Sequence, residues 1–79
     1  MDKPVLKEQI GDAHLEPTQR HLEVLLLVKE GYTNRQIGIA LGIEDNTVKQ
    51  HICEVIYRLG ATDRTSAVIR AIKRGLITL

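Results

Sequence analysis

The stretch Thr33–Leu59, TNRQIGIALGIEDNTVKQHICEVIYRL, decides the fold. Thr33 is a good helix N-cap, and Gln36 three residues on completes a capping box. Ile37, Ala40 and Leu41 then form a short apolar stripe that stops at Gly42. A longer helix starts near Asp45, with Val48, Ile52, Val55, Ile56 and Leu59 on one face, and Gly60 closes it. A short helix, a turn of a few residues and a longer helix make a helix-turn-helix arrangement.

The same punctuation continues on both sides. Towards the N-terminus, Thr18 can cap a helix whose Leu22, Leu25, Leu26 and Val28 are expected to face inward, with Gly31 as its stop. Towards the C-terminus, Asp63 can cap a last helix with Ala67, Val68, Ala71 and Ile72 as its stripe and Gly75 at its end. No window alternates as a strand does, so the expected class is all-α, a four-helix bundle containing the helix-turn-helix. Residues 1–17 hold two prolines and no sustained period. They read as a tail or linker with a short helix around Leu6–Ile10, leaving 18–79 as the domain.

Composition narrows the function classes. A chain of 79 residues buries only about 60% of its unfolded surface, which excludes enzymes needing two lobes around a cleft. With no Trp or Phe and only Tyr32 and Tyr57, the core must be aliphatic. The longest apolar run, Val24–Val28, is far short of the roughly 20 residues that span a bilayer, and the N-terminal stretch lacks a signal-sequence core. Together with a single cysteine, Cys53, this fits a reducing, cytoplasmic setting without membrane partners. The net charge of +1 hides an asymmetry: residues 1–30 sum to −2 and residues 31–79 to +3. A basic back half points weakly to a polyanion.

The third helix strengthens that pointer. Opposite its apolar stripe lie Asn46, Lys49, Gln50, Cys53 and Tyr57, one continuous face. Asn and Gln can pair bidentately with adenine, and Lys with guanine, so Asn46, Lys49, Gln50 and Cys53 are the expected base contacts. An ordinary solvated face would more often carry Glu–Lys pairs at i, i+4.

Residues 18–78 resemble the LuxR/FixJ-type (NarL-like) DNA-binding domain of bacterial transcription factors. The resemblance rests on Thr18, Arg20, Glu23, Val24 and Leu25; on Glu30, Gly31, Thr33, Asn34, Ile37, Leu41, Ile43, Thr47, Val48, Lys49 and His51; and on Leu59, Gly60, Arg64, Ala67 and Val68. It implies a four-helix domain that binds double-stranded DNA, commonly as a dimer, with the third helix in the major groove. Lys49 and Gln50 would then lie over base edges, while Thr47, His51, Thr33, Asn34 and Arg35 would approach phosphates. Helix N-termini favour anions independently of any family, which adds Arg64 at the start of the fourth helix to the phosphate set. The last helix is the usual dimer contact in the family, here Ala67, Val68, Ile69, Ala71 and Ile72, with Ile69 and Ile72 expected to leave an apolar patch. RNA polymerase is a further partner that the class allows.

Several positions depart from the family pattern. Pro17 stands where Leu is usual, and His21 where Glu is usual, so the first capping box is expected to lose its acidic half and His21 to sit on the surface. Glu44 and Asp45 replace the small residues that usually cap the third helix, beside the path of the phosphates. Cys53 stands where some members carry a Lys, and Gly38 replaces an Ala inside the second helix at about 1 kcal/mol. The reading face is thus less basic than usual, and weaker non-specific binding is expected.

Other chemistries find little support. His51 and Cys53 diverge on a helix and no second cysteine exists, so no metal site or cofactor is expected. No nucleophile–base set, carboxylate pair or phosphate-binding glycine loop appears, so an enzyme is not expected. The competing reading is a helical module that binds another regulator through its last helix or acidic front, with Lys49 and Gln50 an idle solvated face. The 17 residues before Thr18 are too few for a receiver or sensor domain. The chain therefore reads either as a free-standing regulator or as the output domain of a longer one.

Overall fold

The computed structural model describes residues 16–79, and the helix expected around Leu6–Ile10 lies outside them. Four helices follow in order: α1 Gln19–Lys29, α2 Asn34–Leu41, α3 Asp45–Arg58 and α4 Arg64–Lys73. The described residues contain no strand. The all-α, four-helix expectation is met, and side-chain caps mark the starts of α1, α2 and α4 while glycines follow the helix ends.

Three of the four helices open with a capping box. In α2, Thr33 Oγ1 accepts the Gln36 amide at 3.1 Å while Gln36 Oε1 accepts the Thr33 amide at 2.9 Å. In α4, Asp63 Oδ1 accepts the Ser66 amide at 2.8 Å and Ser66 Oγ accepts the Asp63 amide at 3.1 Å. The α1 box corrects the sequence reading: His21 takes the place of the missing acid. Its Nδ1 accepts the Thr18 amide at 3.0 Å while Thr18 Oγ1 accepts the His21 amide at 3.2 Å. The reading of Glu44 and Asp45 as a cap is also corrected. Glu44 occupies the N-cap of α3 without a side-chain cap hydrogen bond, and Asp45 is the first helical residue.

Packing is organised by α3. Its Val48 and Ile52 join Val24 of α1 and Ile37 of α2 in one buried cluster. Its Val55, with Leu59, joins Leu25 of α1, Ala67 and Ala71 of α4, and Ile77 beyond α4 in the other. Adjacent residues of α1, Val24 and Leu25, thus enter different clusters. Leu26 was expected to face inward with Leu25, yet it is 39% exposed. Helical geometry turns each residue about 100° from the last, so a continuous apolar run cannot all point inward.

The turn between α2 and α3 fixes how the two helices meet. Gly42 ends α2 at φ 73°, a left-handed conformation that a side chain resists. The Gly38 carbonyl accepts both the Gly42 amide and, at 2.9 Å, the Ile43 amide. A Cβ on Gly38 would stand 2.5 Å from the Ile43 carbonyl oxygen, so the missing side chain lets the turn fold tightly against α2. Gly38 is therefore more than a weak helix former. It is buried and occupied by the turn it permits.

The last residues of the expected tail are also placed. Glu16 carries Arg74 Nη2 on both carboxylate oxygens at 3.0 Å, and its carbonyl accepts Arg58 Nη1 at 2.9 Å. The chain before α1 is thereby held to the C-terminal ends of α3 and α4.

A domain of this size has about 0.05–0.15 kcal/mol of stability per residue, so one core contact is a large share of the total. Leu25→Ala, at a position with no exposed surface, is expected to lose about 2–5 kcal/mol. Leu26→Ala, one residue on, is expected to lose less than about 1 kcal/mol. Urea unfolding followed by circular dichroism reads both, and equal losses would contradict the division of the run between core and solvent.

Candidate nucleic-acid interface

The buried stripe of α3 fixes what the other side presents. Asn46, Lys49, Gln50, Cys53 and Tyr57 are all exposed and lie within roughly 100° of arc around the helix, away from Val48, Ile52 and Val55. Tyr57 is 68% exposed and Cys53 carries a free thiol. The four expected base contacts thus share one open face. Thr47 lies on its flank, half-buried.

A second group assembles where α2 and α4 begin. Arg64 Nη2 donates to Asn34 Oδ1 at 2.6 Å, joining the first residues of two helices that are 30 positions apart. The α2 capping box uses two of the four amides that open that helix, those of Thr33 and Gln36. The amides of Asn34 and Arg35 remain at the positive end of the helix dipole, beside the guanidinium of Arg64 and the exposed Arg35. This corner is chemically suited to an anion. Thr33, by contrast, has its hydroxyl committed to the cap.

His51 does not sit as expected. It is half-buried, its Nδ1 is shielded from solvent with no hydrogen-bond partner, and its ring meets the edge of His21 at 5.7 Å between centroids and 72° between planes. His21, expected on the surface, is 2% exposed. Because its Nδ1 accepts the Thr18 amide, the proton of the neutral ring is on Nε2, which donates to Glu54 Oε1 at 3.0 Å. One ligand-capable atom each of His21, His51 and Glu54 lies within 4.8 Å of the others. The i, i+3 spacing of His51 and Glu54 was legible in the sequence, but the arrival of His21 depends on how α1 crosses α3.

Comparisons with known proteins identify the family. A family described as "Bacterial regulatory proteins, luxR family" matches residues 18–71. The chain belongs to the LuxR family. Within it, the chain is 45% identical over 60 residues to the transcriptional regulatory protein DegU of Brevibacillus brevis. It is 43% identical over 60 residues to the response regulator protein VraR of Staphylococcus aureus. These alignments cover 76% of this chain but 25% and 29% of the relatives, so it spans about a quarter of their length. Among solved structures, the transcription factor GerE superposes with a TM-score of 0.72 at 33% identity, covering 77% of this chain and 90% of that one. The response regulator ChrA of a heme-sensing two-component system gives 0.74 at 34%, covering 78% and 31%.

The domain is therefore a LuxR-family DNA-binding domain of transcription regulators, not an enzyme, built around a helix-turn-helix of α2 and α3. Among the described residues no helix is long and apolar enough to cross a membrane. One group from the sequence reading needs correction. Ala67 and Ala71, expected at a dimer contact, have no exposed surface because they pack into the core cluster with Leu25 and Val55. Val68 and Ile72 are partly buried against the same cluster, and Ile69 alone of the five is largely open, at 47%.

The buried His21 gives a direct test of its structural role. His21→Ala removes half of the α1 cap and the bond to Glu54, for an expected loss of about 2 kcal/mol. His21→Gln restores the arrangement seen at Thr33–Gln36 and is expected to recover roughly half of that loss. Thermal melts of the two variants beside the parent chain measure the difference.

Proposed function

We propose that the chain binds specific double-stranded DNA sites with α3 in the major groove, as part of a cytoplasmic transcriptional regulator. The observation that carries the reading is the exposed face of α3, on which Asn46, Lys49, Gln50 and Cys53 stand clear of the core. Residues 18–79 act as the DNA-binding unit. Lys49 and Gln50 contribute hydrogen bonds to base edges, with Asn46 one turn before them and Cys53 one turn after them on the same face. Asn34, Arg35 and Arg64 hold a phosphate at the joined starts of α2 and α4, and Thr33 and Thr47 line its approach. His51 approaches the backbone only if its ring turns outward from His21.

Two copies meet through α4 in this reading. Ile69, with the partly buried Val68 and Ile72, offers the apolar surface, and a hollow of about 230 Å³ lined by Val28, Lys29, Thr65, Val68 and Ile69 lies beside it. RNA polymerase is a further partner that the class of regulator implies. The LuxR-family match favours DNA over the alternative of a module acting only on another protein.

Selection of bound duplexes from a random pool tests the assignment of roles. Lys49→Ala and Gln50→Ala are each expected to weaken the preferred site by about 1–3 kcal/mol and to relax selection at particular base pairs. Arg64→Ala is expected to weaken all duplexes alike and to lower the salt slope of binding by about one. Uniform loss across sequences in the Lys49 and Gln50 variants would contradict base reading by α3. Dimerisation is read separately, since Ile69→Glu is expected to abolish enrichment of paired half-sites while leaving a single half-site bound.

A further inference from the structure

The His21–His51–Glu54 cluster lies apart from both the open face of α3 and the corner at Arg64. We infer that it is a binding site for a divalent transition-metal ion of the zinc class, clamping the first turn of α1 to the middle of α3. Two imidazoles and one carboxylate are a borderline donor set that suits zinc, nickel and copper better than magnesium or calcium. Three protein ligands leave a coordination position for water.

Placement supports the chemistry. His51 and Glu54 are one turn apart on the same side of α3, a spacing that aims two ligands at one point. His21 reaches that point from α1, its Nε2 already 3.0 Å from Glu54 Oε1. Tetrahedral bonds of about 2.0–2.1 Å put ligand atoms about 3.3 Å apart. The His21–Glu54 edge is therefore close to that spacing, and the remaining separations, all within 4.8 Å, close by side-chain rotation. Nδ1 of His51, buried and without a hydrogen-bond partner, makes His51 the member with most to gain from a new partner.

The cap on α1 opposes binding and gives the site a signature. Coordination through His21 Nε2 moves the ring proton to Nδ1, where it faces the Thr18 amide, another donor. That backbone bond is lost, which lowers affinity by about tenfold. The second bond of the box, from the His21 amide to Thr18 Oγ1, is unaffected. Metal binding is thus coupled to release of the Thr18 amide, whereas an ion held elsewhere leaves that amide unchanged.

The test uses the untagged full chain with Zn²⁺ alone, and Co²⁺ as the spectroscopic probe, and needs no DNA. One ion per chain by calorimetry, visible Co²⁺ absorption of a low-coordinate site, a raised Tm and faster hydrogen exchange at the Thr18 amide are the expected results. His21→Gln keeps a capping side chain, and Glu54→Gln keeps an acceptor for His21. Each is expected to stay folded by circular dichroism yet to bind at least about tenfold more weakly, without the Tm shift. Absence of the Co²⁺ spectrum in the parent chain would overturn the site. So would binding in both variants as tight as in the parent chain, which would put the ion on His14 or Cys53 instead.

Discussion

The structure depends on one helix being buried along a narrow stripe. Val48, Ile52, Val55 and Leu59 recur at intervals of four, three and four residues, which keeps α3 and its C-cap facing the core over their whole length. The first two enter the cluster with α1 and α2, and the last two enter the cluster with α1 and α4. Any rotation of α3 about its axis would expose members of both clusters at once. The rotation that presents Asn46, Lys49, Gln50 and Cys53 is therefore set by apolar packing, not by the polar residues themselves. The open face needs no interaction of its own to be aimed.

The depth and tilt of that face come from smaller features. The tight turn at Gly38, Gly42 and Ile43 fixes α3 against α2, and the bond from Arg64 to Asn34 fixes the start of α4 against the start of α2. The groups suited to phosphate thus lie on the elements that orient α3. In the proposed binding mode, in which phosphate contacts set register and base contacts set sequence, shared elements hold the two sets in a constant relation.

Local chemistry made most of this legible. Thr18, Thr33 and Asp63 announced three helix starts, the glycines announced the ends, and the α3 stripe gave its facing directly. What failed depended on contacts between helices. Leu26 and Val24 sit in one apolar run, and only the crossing of α1 over α3 decides which is buried. Ala67 and Ala71 are small enough to let α4 approach the core closely, so a stripe read as partly available to another copy is consumed within the chain. His21 failed in a third way: a histidine at the third position of a helix has an acceptor nitrogen, as Gln36 has an acceptor oxygen, but the usual capping signature is acidic or amide.

That substitution changes the electrostatics of α3. A Glu at position 21 would face Glu54 across a gap that the imidazole now bridges at 3.0 Å, placing two carboxylates together beside α3. With His21, the cap is retained through Nδ1 and the other nitrogen draws the Glu54 carboxylate to α1 as a hydrogen-bond acceptor. Glu54 is the acidic residue of α3 nearest in sequence to Cys53 on the open face. Holding its carboxylate against α1 draws negative charge away from that face, whereas Glu44 and Asp45 at the helix start have no such partner among the described residues. Glu54 is thus engaged by the fold, whereas the acidic departures Glu44 and Asp45 stay unpaired among the described residues at the start of α3, where in the proposed binding mode their charge weakens attraction for any phosphate backbone and leaves base contacts a larger share of the binding.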